Sequence, residues 1–169
     1  MKQTGYWSII QTPLSPFVVA SIDDQILCAI FTTEQTFPLK YLKPYTDSVV
    51  WKQDLNESLQ QFQTQLELYF NGRLKKFSLN LKMEGTSFQK ECWSYLSTIP
   101  YGTTQSYTEQ AKGILNSKAV RACGSANGKN PFHIIIPCHR IISKNGELGG
   151  FAAGTNIKQY LLDLEKKYK

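Results

Sequence analysis

Histidine is scarce in this chain: there are two among 169 residues, His133 and His139, and none in residues 1–85. A zinc site draws on several His, Cys or acidic ligands at tight spacing. No such cluster occurs, so no metal and no other cofactor is expected. The four cysteines, Cys28, Cys92, Cys123 and Cys138, form no CxxC pair and follow no regular spacing, which argues against a disulfide framework. Free thiols fit a reducing compartment, and a cytoplasmic location is expected. No apolar run approaches a membrane span, and Met1–Thr12 lacks the basic-then-apolar pattern of a secretory signal.

Charge is unevenly spread. Residues 1–85 carry eight Lys/Arg against eight Asp/Glu, whereas residues 86–169 carry eleven against five. The whole net charge of +6 therefore lies in the C-terminal half. This asymmetry points to nucleic acid as a partner, although a value of this size also suits a solubilising surface.

The first half reads as strands followed by a helix. Trp7–Ile10, Phe17–Ala20 and Ile26–Phe31 are apolar and rich in β-branched or aromatic residues, with Asp23-Asp24 as a hairpin turn. Residues 32–53, interrupted by Pro38 and Pro44, read mostly as loop. From Asp54, Leu55, Leu59, Phe62, Leu66 and Phe70 recur at helical spacing, and Asn71-Gly72 supplies the stop. Alternation of Phe77, Leu79 and Leu81 predicts one more strand. No catalytic signature occurs in this half.

The second half opens on a capping box, Thr86 with Gln89 three residues on, ahead of an apolar face of Phe88, Cys92, Trp93 and Leu96. Pro100-Tyr101-Gly102 ends that helix. A second box, Ser106 with Glu109, starts a short helix through Ala111, Ile114 and Leu115. After the break at Asn116-Ser117, residues 118–127 form another helix, giving a helix-turn-helix. In it Arg121 stands among Ala119, Ala122, Gly124, Ser125 and Ala126. Such small side chains allow close approach of a nucleic-acid groove, or equally of a second helix. Ile134-Ile135-Ile136 reads as a buried strand leading to Pro137-Cys138-His139-Arg140. Gly146, Gly149, Gly150 and Gly154 follow, and Asn156 is expected to cap a final helix. Its face comprises Ile157, Tyr160, Leu161 and Leu164, with Glu165 one position beyond.

A thiol becomes a good nucleophile when a neighbouring base or cation favours the thiolate. Cys138, His139 and Glu165 compose a sensible relay: the carboxylate holds the imidazole and the imidazole draws the thiol proton. Adjacent strand residues point to opposite faces, so a water is expected between Cys138 and His139. A structural cysteine beside a surface histidine is the alternative from residue types alone. Cys28, Cys92 and Cys123 are read as packing residues.

The stretch Ile134–Ile142 resembles the active-site signature of the O6-alkylguanine-DNA alkyltransferases. The resemblance extends in order and spacing through Phe88–Trp93, Pro100–Thr104, Ser106-Tyr107, Val120-Arg121, Gly124, Ala126, Asn130-Pro131, the glycines after Cys138, and Leu161-Leu162 to Glu165. It covers residues 86–169 closely and 1–85 loosely. It implies an α+β chain of two domains: residues 1–85 as a small RNase H-like α/β structural domain, and residues 86–169 as a winged helix-turn-helix-like domain that binds DNA and accepts the alkyl group. It implies direct, single-turnover repair of O6-alkylguanine, with O4-alkylthymine as a second candidate lesion. Cys138 would be the acceptor, with His139 and Glu165 behind it and Asn130 bracing the turn. Tyr107 would sit over the nucleotide and help guanine leave. Arg121 would fill the gap left by a flipped base, while Ala119, Ala122, Ser125 and Ala126 approach the minor groove of double-stranded DNA. Ile141, Phe151 and Ala152 would line the substrate pocket. A monomer with no membrane partner is expected.

Two departures from the family pattern carry expectations. Phe151 stands where many relatives have Tyr, and Ala152-Ala153-Gly154 replaces a more glycine-rich stretch, so bulky O6-alkyl groups should be handled less well than methyl. The histidines with which some relatives bind zinc have no counterpart in residues 1–85. A non-catalytic sensor of alkylated DNA is the alternative function, but relatives of that kind lack the reactive cysteine. A transcriptional regulator using the helix-turn-helix alone and a thiol hydrolase are weaker alternatives: the first has no room for an extra domain, and the second gives Arg121 no task.

Overall fold

The computed structural model describes all residues, Met1–Lys169, as two compact units, Met1–Met83 and Glu84–Lys169. In the first, β1 (Gln3–Ile10), β2 (Phe17–Ile22) and β3 (Gln25–Phe31) form an antiparallel meander, and β4 (Val49–Gln53) adds to β1 in parallel. The sheet order is β3-β2-β1-β4. The hairpin between β2 and β3 turns at Asp23, whose φ of 53° is one that Asp tolerates better than most residues. All of β2 is buried, so this strand is covered on both faces. On one face Ala20 and Ile22 join Leu27, Cys28, α1 (Leu39–Leu42) through Leu42, and Val49, under Trp7, Phe37, Tyr41, Tyr45 and Trp51. On the other, Phe17 meets Phe62 of α2 (Glu57–Phe70), with ring centroids 5.8 Å apart.

The sequence places α2 correctly but misjudges its face. Asn56 is the cap, its side chain accepting from the Leu59 amide, and Leu59, Phe62, Leu66 and Tyr69 are buried. Leu55 precedes the helix and Phe70 is only half-buried. The expected loop at 32–53 contains α1, a short 3-10 turn and β4. β4 escapes the sequence reading because it is a short edge strand with an exposed face at Val50 and Lys52. The strand expected at Phe77–Leu81 does not form. Its alternation is real, but the segment makes only a bridge: Ile26 N donates to Asn80 O and Lys82 N to Ile26 O, each at 2.9 Å.

In the second unit α3 (Ser87–Leu96), α4 (Tyr107–Gly113) and α5 (Val120–Gly128) pack around Cys92, Ala111, Ile114, Cys123 and Ala126. Both capping boxes are present, Thr86 with Gln89 and Ser106 with Glu109. Leu115 is not part of α4: it occupies the turn before α5 at φ 58° and is exposed. Short strands β5 (Gln105–Ser106) and β6 (Ile141–Ile142) pair in parallel and tie the start of α4 to the segment after Cys138. The last helix, α6 (Thr155–Lys167), is capped by Gly154 rather than by Asn156. It buries Ile157, Lys158, Leu161, Leu164 and Glu165, and leaves Tyr160 exposed. No helix is long and apolar enough to cross a membrane.

Candidate active site

The isoleucine run before Cys138 is a buried turn, not the expected strand. Ile134 has φ 68°, a strained value for a β-branched residue. Ile136 N reaches back to Phe132 O at 3.0 Å, and Cys138 N to Ile136 O at 2.8 Å. Asn130 holds this turn from inside. Its Oδ1 accepts from Phe132 N at 2.9 Å, and its Nδ2 lies 2.8 Å from Ile136 O and 3.3 Å from both Phe132 O and Cys138 Sγ. The strained backbone is thus held by a fully enclosed amide. Burial raises the Cys138 thiol pKa, and the Asn130 hydrogen bond and the nearby Lys158 ammonium pull against it.

Cys138–Arg140 is one turn of 3-10 helix after Pro137. Successive side chains there diverge by about 120°, rather than lying on opposite faces of a strand. Cys138 opens on a cavity while His139 and Arg140 turn inward toward α6. His139 Nε2 lies 2.7 Å from Glu165 Oε1. Arg140 donates through Nε to Glu165 Oε2 and through Nη2 to Oε1, both at 2.9 Å, and through Nη1 to Ile99 O at 2.7 Å. Gly102 N adds a fourth donor to Glu165, at 3.2 Å. Burial alone would raise the Glu165 pKa, but His139 and Arg140 outweigh it and hold the carboxyl well below the usual range. Burial lowers the His139 pKa against the pull of Glu165, so the ring is neutral. A neutral ring beside an ionised carboxylate donates from Nε2, which leaves Nδ1 as the acceptor. Nδ1 is buried and has no partner.

The cavity at Cys138 is about 160 Å³, lined by Tyr107, Gly124, Asn127, Gly128, Cys138, Gly150, Phe151 and Ala152. Three expected residues, Tyr107, Phe151 and Ala152, thus meet the nucleophile there. Gly149, at φ 70°, lets the loop pass Tyr107: a Cβ would stand 3.0 Å from the ring and its hydroxyl. Phe151 in turn meets the His133 ring in a tilted contact, with centroids 5.6 Å apart. Ile141 is fully buried behind the cavity rather than in its wall, and its carbonyl accepts from Lys158 Nζ at 2.5 Å. That ammonium also reaches Gly150 O at 3.1 Å, and burial lowers its pKa to about 8.

On α5, Arg121, Ala122 and Ser125 are exposed and Ala119 is half-buried. Ala126 departs from the expectation of a groove contact: it is buried against α3, where its carbonyl accepts from Trp93 Nε1 at 2.9 Å. Sequence reading missed Lys158, although its spacing of three to Leu161 and seven to Glu165 puts it on their helix face. It also missed the buried pair of Gln110 and Asn127, for which no local pattern exists. No group of three or more His, Cys, Asp or Glu side chains is placed to hold a metal ion.

A buried Cys–Asn–His–Glu constellation thus lies in the same unit as the α4–α5 helix pair. Two family models, together spanning nearly the whole chain, match it: the ribonuclease-like domain of 6-O-methylguanine DNA methyltransferase over residues 5–83, and the DNA-binding domain of the same family over residues 87–167. The chain belongs to the 6-O-methylguanine DNA methyltransferase family. It is 42% identical to a methylated-DNA--protein-cysteine methyltransferase of Methanosarcina acetivorans, over 95% of this chain and 97% of that one. It is 37% identical to the constitutive enzyme of that name from Bacillus subtilis, over 96% of each chain. Among solved structures, Mycobacterium tuberculosis OGT in complex with DNA superposes with a TM-score of 0.84 at 36% identity, covering 96% of this chain and 94% of that one.

Proposed function

We propose that this chain repairs O6-alkylguanine in double-stranded DNA by moving the alkyl group irreversibly to Cys138 Sγ. The observation that carries this reading is the placement of one thiol: it opens on a small cavity, with the Asn130 amide on its sulfur and the neutral His139 of a buried His–Glu pair next in the chain. His139 Nδ1, through a water, takes the thiol proton. The thiolate attacks the alkyl carbon in line, forming an S–C bond as the C–O6 bond breaks. The bonding pair stays on the guanine, which regains a proton from the Tyr107 hydroxyl and leaves neutral; solvent reprotonates Tyr107. The thioether is stable, so each molecule acts once.

The alkyl carbon cannot be reached inside a stacked duplex, so the base must be flipped out. The exposed row of Arg121, Ala122 and Ser125 suits a minor-groove approach, with Arg121 in the vacated stack and the small residues against the walls. In this reading the unit after residue 85 carries the chemistry, the unit before it gives structural support, and the protein works as a cytoplasmic monomer. The test is transfer of a tritiated methyl from an O6-methylguanine duplex. Label should stay with the protein and saturate at one per chain, and Arg121→Ala should slow transfer without lowering thermal stability. Tight duplex binding with no label on the protein would favour a sensor instead.

A further inference from the structure

One polar side chain in the cavity wall, Asn127, has no part in that mechanism. The cavity face of α5 is Gly124, Asn127 and Gly128, spaced three and four apart on one side of the helix. The two glycines present no side chain, and a Cβ at Gly128 would meet nothing within 4 Å. Asn127 is therefore the one side chain that α5 offers to the cavity. Of the other wall residues only Tyr107 and Cys138 carry polar side-chain atoms, and Phe151 and Ala152 are apolar.

Asn127 is held in a fixed orientation. Its Oδ1 accepts from Gln110 Nε2 at 2.9 Å, and its Nδ2 donates to Gln110 Oε1 at 2.8 Å. Two reciprocal bonds fix the plane of the amide and engage one donor and one acceptor of each partner. An amide has two N–H donors and two acceptor lone pairs, so one of each remains on Asn127. Gln110 is fully buried while Asn127 retains 7% exposure and lines the cavity. Asn127 can therefore present its spare donor and acceptor to the cavity. A neutral group that both donates and accepts matches a hydroxyl, whereas a carboxylate would want a cation.

We propose that Asn127 is a specificity-determining residue that biases the site toward O6 substituents ending in a hydroxyl, such as 2-hydroxyethyl, over apolar substituents of the same length. This rests on the alkyl-transfer reading above and names a substrate class for it. The displacement is the same: the substituent's first carbon bonds to Cys138 Sγ as its bond to O6 breaks, and the terminal hydroxyl takes no part beyond its contact with Asn127.

The experiment measures transfer to the full-length protein from duplexes carrying O6-(2-hydroxyethyl)guanine, O6-propylguanine or O6-methylguanine. Hydroxyethyl and propyl differ only in a terminal OH against CH₃. The comparison protein is the double variant Gln110→Leu/Asn127→Leu, which removes both amides together and leaves neither orphaned. Gln110→Met/Asn127→Met serves if the leucine pair fails to fold. Intrinsic reactivity differences cancel in the ratio of ratios. The wild-type preference for hydroxyethyl over propyl should exceed the variant's by roughly five- to tenfold, the worth of one hydrogen bond. Equal ratios in the two proteins, with methyl transferred by both, would overturn the role of Asn127. No transfer of methyl by the wild type would overturn the alkyl-transfer reading, and this inference with it.

Discussion

His139 Nε2 and Glu165 Oε1 meet at 2.7 Å with both side chains withdrawn from solvent. The same carboxylate takes two of the three Arg140 bonds, so one group orients the imidazole and neutralises a buried guanidinium. Its two partners predict different phenotypes. His139→Phe should slow alkyl transfer by about a hundredfold or more, the usual scale for losing a general base, with a smaller effect on stability. Glu165→Gln leaves Arg140 buried without its counter-charge and should cost about 3–5 kcal/mol of stability, besides slowing transfer. Urea unfolding beside single-turnover rates separates the two effects. Equal stability losses in both variants would contradict this division of labour.

Acid should weaken the fold well before Glu165 titrates. A carboxyl held below its ordinary range contributes stability that is present in full above the unfolded carboxylate pKa and is lost progressively as pH falls from there through its low folded value. His133 behaves differently. Burial and the neighbouring His139 lower its pKa from 6.5 to about 4, so between those values the unfolded chain binds a proton that the folded chain refuses. Stability should therefore fall as pH drops from 6.5 toward 4, by about 3 kcal/mol from this residue. His133→Phe should flatten the slope by about one proton. An unchanged slope would show that His133 does not stay neutral in the fold.

Size should govern substrate choice. A cavity of about 160 Å³ is small beside the roughly 300–1,000 Å³ of drug-sized ligand sites, and the Phe151 ring and Ala152 methyl occupy one wall. Transfer from O6-methylguanine should outpace transfer from O6-benzylguanine. Equal rates would mean that the loop carrying Phe151 yields to large groups.

What the sequence reveals and what it conceals follow from locality. The capping boxes at Thr86 and Ser106 are patterns four residues long, and both form as read. The pairing of His139 with Glu165 beside Cys138 is legible because so few histidines are on offer in this chain. Ile134–Ile136 misleads because three isoleucines signal burial without specifying backbone. The turn is imposed from outside by Asn130, which accepts from Phe132 and donates to Ile136. Lys158 and the Gln110–Asn127 pair are hidden for the converse reason: polar residues at buried positions find their partners only through the tertiary fold. Ala126 shows the limit of composition, since a small residue fits a helix–helix contact as readily as a groove.

Cys138 is the proposed alkyl acceptor, and the mass of the intact protein is the measurement that tests it. Wild type and Cys138→Ala, with Cys28, Cys92 and Cys123 retained in both, would be mixed with excess O6-methylguanine duplex and weighed before and after. Transfer to Cys138 should give a gain of one methylene on the wild type alone, saturating at one per chain and mapping to the peptide that contains Cys138. A gain on Cys138→Ala, or no gain on a wild type that binds the duplex tightly, would contradict it.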